Sequence, residues 1–143
     1  MSVKQISVTL DNVPGTFLGI SECLADEGIN IRAISVADTS EESTVRFVTD
    51  DPIKTANVLK SHGYVTKITD VIAVEIPDHP GGLRAVLKPL MAANINVIYF
   101  YPHLGRGENW QPIVIVGVDK TEDAVNVLHD NWINTFGKEI YAL

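Results

Sequence analysis

The chain writes one pattern twice. Asp11-Asn12-Val13-Pro14-Gly15 followed by Gly28-Ile29-Asn30-Ile31 returns as Asp78-His79-Pro80-Gly81 followed by Asn94-Ile95-Asn96-Val97. Pro14 to Pro80 and Asn30 to Asn96 both span 66 positions, and the register holds without a gap from Ile6/Ile72 to Ile31/Val97. A constant offset of this kind marks a duplicated module. The 143 residues then divide into two units, 1–69 and 70–143. Each is about 70 residues long, a size at which a lone hydrophobic core is marginal. The halves are therefore expected to pack on each other or on another chain.

The same order of elements is expected in each copy. Gln5 to Leu10 alternates Ile6, Val8 and Leu10 against Ser7 and Thr9, the period-two signature of a half-buried strand. Pro14-Gly15 breaks it, and Phe17, Ile20 and Leu24 then recur at helical spacing up to Gly28, a natural left-handed cap. Asn30 to Ala37 and Thr44 to Thr49 read as a hairpin with a polar loop. Asp51-Pro52 places a capping carboxylate before a first-turn proline, predicting a helix to about His62. Tyr64 to Ile76 is long enough for the last strand of one copy and the first of the next, joined near Thr69-Asp70.

In the second copy, Leu83, Val86, Leu87, Leu90 and Met91 form an amphipathic stripe, with Asn94 as the left-handed cap in place of Gly28. Asn96 to Tyr101 and Pro112 to Val118 are expected strands. Thr121 is expected to cap a helix carrying Ala124, Val125, Leu128 and Trp132, and Glu139 to Leu143 to close as a short strand. The order β-α-β-β-α-β, twice, predicts an α+β fold of two ferredoxin-like units, each an antiparallel sheet with both helices on one face.

Composition excludes several functions. The net charge is −7, from 18 acidic against 11 basic residues, and no stretch concentrates Lys or Arg, which argues against nucleic acid as a partner. No run approaches the roughly 20 apolar residues of a membrane span. The start, Met1-Ser2-Val3-Lys4-Gln5, carries no apolar signal region, so the expectation is a cytoplasmic location without a membrane partner. Cys23 is the single cysteine and reads as a small buried hydrophobe on a helix. His62, His79 and His129 lack metal-ligand spacing. Neither a phosphate-cradling glycine loop nor a nucleophile and base at recognisable spacing is present, so no cofactor, metal or catalytic residue is expected.

A binding site is expected at the turn after the first strand. There the amides following Gly15 point unpaired along the helix axis, with the positive end of its dipole behind them. A carboxylate is the natural guest. Asn12 and Asn30 each offer an amide that donates and accepts, so together they suit an amino acid's charged groups.

The run Asn12-Val13-Pro14-Gly15-Thr16-Phe17-Leu18, a helix with Leu24, then Gly28-Ile29-Asn30-Ile31, resembles the ACT domain, a small-molecule-sensing module of amino-acid metabolism. The second copy is similar to it as well, so the likeness covers nearly the whole chain. In that family, ligands bind where two units meet, between the first loop of one and the second strand of the other. Asn12 and Asn30 fall where the serine-sensing ACT domain of phosphoglycerate dehydrogenase has ligand-binding asparagines.

The resemblance implies a non-catalytic amino-acid sensor, a homodimer, with Asp11, Asn12, Val13, Pro14, Gly15, Asn30 and Ile31 in one site. Asp78, His79, Gly81, Asn96 and Val97 would form the other. An ionised Asp78 would repel a ligand carboxylate, so the first copy is the better site. Two alternatives stand beside this reading. One is a regulatory subunit of a biosynthetic enzyme, like the small subunits that control acetolactate synthase. The other is an enzyme using Tyr99, Tyr101 or His103 at the second-copy hairpin, where Pro102 to Trp110 form an insertion rich in aromatic, His and Arg groups.

Overall fold

Alternation and helical periodicity translate into seven strands and four helices in the computed structural model, which describes residues 2–143. The chain forms two compact units, Lys4–Thr69 and Asp70–Leu143, the second including the residues up to Val3. The first unit contains β1 (Val3–Asp11), α1 (Thr16–Asp26), β2 (Ile31–Asp38), β3 (Glu42–Thr49) and α2 (Pro52–Ser61), and then the start of β4 (Val65–Glu75). Its sheet is antiparallel, with β3 between β1 and β2: Val8 faces Val45, and Ile34 faces Phe47. β1 also pairs with β4. Ile6, Val8, Leu10, Val45 and Phe47 from the sheet meet Ile20, Leu24, Ala56 and Leu59 from the helices in one core cluster, so both helices cover the same sheet face.

The second unit repeats the plan with the rest of β4, α3 (Gly82–Ala92), β5 (Val97–Arg106), β6 (Pro112–Val118), α4 (Thr121–Asp130) and β7 (Thr135–Phe136). Its strands run β5-β6-β4-β7, all antiparallel, with Ile72 opposite Val116 and Val74 opposite Thr135. This is the ferredoxin-like order. Ile72, Val74, Val116 and Val118 pack under Val86, Leu90, Ala124 and Leu128.

Several local expectations need correction. Within Tyr64 to Ile76 there is one continuous strand, β4 (Val65–Glu75), rather than two in succession. Strand β5 runs on to Arg106, and the insertion is accommodated as an irregularity between Pro102 and Arg106, which pair with Val114 and Pro112, followed by the connection 107–111. Thr121 is the first helical residue; Lys120 holds the cap position and no side chain caps the helix. The closing strand lies upstream at Thr135–Phe136, and Lys138–Ala142 winds into a 3-10 turn instead, after Glu139 Oε1 accepts from the Gly137 N–H at 3.0 Å. Met91 lies exposed despite its place in the predicted stripe, and Trp132 lies beyond the end of α4, 95% exposed, rather than in the core.

All four helices stop in the same way. After each, a residue at positive φ turns the chain: Gly28 at 68°, Gly63 at 84°, Asn94 at 59° and Trp132 at 62°. The next residue donates its N–H back to the last helical turn, from Ile29 to Leu24 O (2.9 Å), Tyr64 to Leu59 O (3.1 Å), Ile95 to Leu90 O (2.9 Å) and Ile133 to Leu128 O (3.0 Å). This six-to-one bond is the Schellman motif, and its left-handed position suits glycine or asparagine. Cys23 lies on α1, half-buried beside the first core.

Tryptophan at the left-handed position carries a Cβ that crowds the following carbonyl, at a cost of about 1–2 kcal/mol. Trp132→Gly is therefore expected to stabilise the fold, raising the melting temperature by roughly 2–8 °C for a chain of this size. A melting temperature that falls on this substitution would contradict the strain argument.

Candidate functional site

The turn from β1 into α1 is built by three backbone bonds. The Val13 N–H donates to Asp11 O (3.0 Å), Thr16 N–H to Val13 O (3.4 Å) and Gly19 N–H to Gly15 O (3.0 Å). Sixty-six positions later, His79 N–H donates to Pro77 O (3.0 Å), Gly82 N–H to His79 O (3.0 Å) and Ala85 N–H to Gly81 O (3.1 Å). Gly15 and Gly81 sit at the two helix starts with φ of 87° and 88°, a conformation that glycine adopts without strain. No side chain caps either helix. The first-turn amides of Phe17 and Leu18, and of Leu83 and Arg84, have no backbone acceptor among the described residues. Both turns thus present unsatisfied donors at the positive end of a helix dipole.

Around this shared frame the two copies differ. The Asn12 Nδ2 donates to Thr39 O at 3.4 Å and its backbone N–H to Glu41 O at 3.2 Å, tying the loop to the β2–β3 hairpin. Asp78 instead donates its N–H to Gln111 Oε1 at 2.9 Å, and its carboxylate lies 4.0 Å from Arg106 Nη1. That pair is exposed, which makes it weak. His79 Nδ1 lies 2.8 Å from Pro80 O, which requires the ring proton on Nδ1.

Asn30 and Asn96 are exposed and fixed by their backbones. Asp50 Oδ1 accepts from Asn30 N–H at 3.0 Å while Asp50 N–H donates to Asn30 O at 3.0 Å. Asp119 does the same for Asn96, at 3.0 and 3.2 Å. These aspartates, each at the end of a strand before a helix, were not singled out by motif reading; their recurrence at matching places is the signal that would have found them. Ile31 and Val97 pack half-buried against their unit's core.

Within one unit the predicted site residues do not converge. Asn12 bonds to Thr39, just past the end of β2, whereas Asn30 precedes its start. Eight residues at about 3.3 Å each separate them by roughly 26 Å. The alternative constellation of Tyr99, Tyr101 and His103 lies along one face of β5, with the Tyr99 and Tyr101 rings stacked at 6.4 Å between centroids. Tyr99 lies over Gly117, where a Cβ would overlap its ring, while Tyr101 and His103 are buried. The His103 Nδ1 accepts from Gly105 N–H at 2.9 Å, and Arg106 Nη1 donates to Trp110 O at 2.8 Å. The Cys23 thiol is pushed up by burial and by the carboxylates of Asp26, Glu27 and Glu22, which keeps it in the weakly nucleophilic protonated form.

A cavity of about 400 Å³ that motif reading missed opens in the second unit between Glu75, Gln111, Trp132, Ile133 and the start of α3. No group of three or more metal-ligating side chains gathers among the described residues.

Comparison with known proteins places this geometry in context. The family described as an ACT domain pair matches residues 1–140. Among solved structures, protein BT0572 from Bacteroides thetaiotaomicron superposes with a TM-score of 0.91 at 28% identity, covering 100% of this chain and 98% of that one. The regulatory subunit of aspartate kinase from Thermus thermophilus superposes at 0.64 with 15% identity, covering 90% of this chain and 92% of that one, a likeness of fold. No curated protein matches the chain.

The two helix starts predict a contrast. A Cβ on Gly82 would overlap the Pro77 carbonyl oxygen, which is backbone and cannot swing away, whereas one on Gly15 meets open space. Gly82→Ala is expected to cost about 3 kcal/mol or more. Gly15→Ala should cost only the left-handed strain, about 1 kcal/mol. Urea denaturation of the two variants checks this, and equal losses would refute the assigned packing.

Proposed function

The chain belongs to the ACT domain pair family, and on that premise we propose that it is a non-catalytic sensor that binds an amino acid and regulates amino-acid metabolism. The observation that carries this reading is the repeated helix start. Unsatisfied amides behind a left-handed glycine form a receptor for a carboxylate in each unit. The exposed Asn30 side chain, on a backbone clamped by Asp50, supplies an oriented amide for the ammonium.

Because Asn12 and Asn30 of one unit stand far apart, the site we propose pairs Asn12 to Gly15 of one unit with Asn30 and Ile31 of a facing one. A homodimer brings such units together symmetrically. The first copy is the stronger site, since Asp78 sets a carboxylate where a ligand carboxylate must approach. Among the described residues no helix is long and apolar enough to cross a membrane. We propose action in the cytoplasm.

A second reading, a regulatory subunit acting through association with a larger enzyme, draws support from exposed apolar side chains. Ile34 and Val36 on β2, and Ile98, Phe100 and Leu104 on β5, stand open to solvent. An aspartate kinase regulatory subunit with the same fold is a precedent for such a role.

The test is calorimetry against the twenty amino acids. Asn30→Ala is expected to weaken binding about 10- to 150-fold, the worth of a hydrogen bond to a charged group of about 1.5–3 kcal/mol, while the exposed position leaves the melting temperature unchanged. Asn96→Ala should matter less. Unaltered affinity in Asn30→Ala would misplace the site, and absence of binding by any amino acid would move the association reading ahead.

A further inference from the structure

The exposed charges of the four helices follow a pattern that has no part in the proposed sensor. Helix α1 carries acidic residues without a Lys or Arg, Glu22 and Asp26, whereas α2 carries Lys54 and Lys60 without an Asp or Glu. The second unit reverses both signs. There α3 carries Arg84 and Lys88, and α4 carries Glu122, Asp123 and Asp130. All of these side chains belong to exposed residues, and none joins an ion pair among the described residues. Two reversals fall at equivalent positions: Glu22 becomes Lys88 at the offset of 66, and Lys54 becomes Asp123 at the offset of 69 that also relates Asp50 to Asp119.

On α1 and α3 the charges work against their own helix. Glu22 with Asp26, and Arg84 with Lys88, are like charges four residues apart, which repel on a helix surface. Asp26 ends α1, where the dipole is negative, and Arg84 lies in the first turn of α3, where it is positive. An oppositely charged helix laid over each would relieve both penalties. The two faces also differ in relief. In the first unit the Tyr64 hydroxyl closes against Gly19, 3.3 Å from where a Cβ would stand, and Leu18 projects into solvent. At the matching place in the second unit, between Ala85 and Ile133, a groove of about 520 Å³ opens beside Arg84 and Lys88.

We propose that the helical face of the first unit docks onto the helical face of the second unit in another copy of this chain, α1 over α3 and α2 over α4. Both units have the same hand, so their faces meet in this pairing only when the partner is turned end over end, which sets the paired helices antiparallel. Asp26 then meets Arg84 while Glu22 meets Lys88, and Lys54 meets Asp130 while Lys60 meets Asp123. The negative end of α1 also comes to lie over the positive end of α3. A two-fold axis makes the contact twice in one dimer. The homodimer of the sensor reading thereby acquires a defined interface, and that interface needs no bound amino acid.

Charge reversal in the full chain tests the pairing. Glu22→Lys with Asp26→Lys leaves α1 and α3 both positive, and Arg84→Glu with Lys88→Glu leaves both negative. The new charges suit the helix dipoles better than the native ones, so each double variant is expected to melt no lower than the native chain. Sedimentation should show the native chain as a dimer and each double variant dissociating about tenfold or more readily, because like charges set against each other across an interface are strongly unfavourable. Mixed in equal amounts, the two variants should form a heterodimer, since each then offers the other the opposite sign at both contacts. A native chain that is monomeric at micromolar concentration would leave the face to a different protein and overturn the proposal. Double variants that dimerise as the native chain does, or a mixture that stays monomeric, would overturn it as well. Amino-acid binding is read separately by calorimetry, so its absence would remove the sensor and leave this interface standing.

Discussion

Everything in each unit hangs on how its helices end. A left-handed residue reverses the chain, the next residue's N–H reaches back to the last turn, and its side chain drops against the leucine that accepts the bond. Leu24 with Ile29 and Leu90 with Ile95 are buried pairs of this kind inside the two cores. The bond satisfies a carbonyl that a helix end otherwise leaves open, and the apolar contact aims the following strand into the sheet. With helix-to-strand geometry set four times over, strand order follows from short right-handed connections.

Helix starts are the complementary constraint. Gly15 and Gly81 leave their first-turn amides without side-chain caps. Helix α2 shows the usual solution, with Asp51 Oδ1 accepting from Lys54 N–H at 3.1 Å. A cap of that kind commonly contributes about 1 kcal/mol. Helix α4 also starts without a side-chain cap, so what sets the two repeated turns apart is the left-handed glycine that precedes their open amides.

Duplication has also allowed the copies to drift apart. The backbone bonds of the two turns coincide at an offset of 66, yet Asn12 is anchored to a hairpin through its amide while Asp78 holds Gln111 through its backbone. Likewise the glycine that ends α2 has become a tryptophan at the end of α4. The two frames are thus the same in backbone and different in the side chains they carry.

Periodicity, the Pro-Gly turns and the cap residues Gly28, Gly63 and Asn94 were all legible in the sequence, because each depends on local sterics and hydrogen bonds within a few residues. That locality determined the two βαββαβ units and the two uncapped helix starts behind Gly15 and Gly81. Only the tertiary structure decided the rest. Helical spacing put Trp132 on a buried stripe, but α4 ends first and turns it outward. Tyr99, Tyr101 and His103 share one face of β5, because residues two apart on a strand point the same way, while Arg106 lies past the irregularity that follows Pro102. Glu75, Gln111 and Trp132 form one cavity from three distant parts of the chain, and Asn12 and Asn30, near neighbours in sequence, stand at opposite ends of a strand. Such placements depend on strand pairing and helix packing over long sequence separations, and no local pattern encodes them.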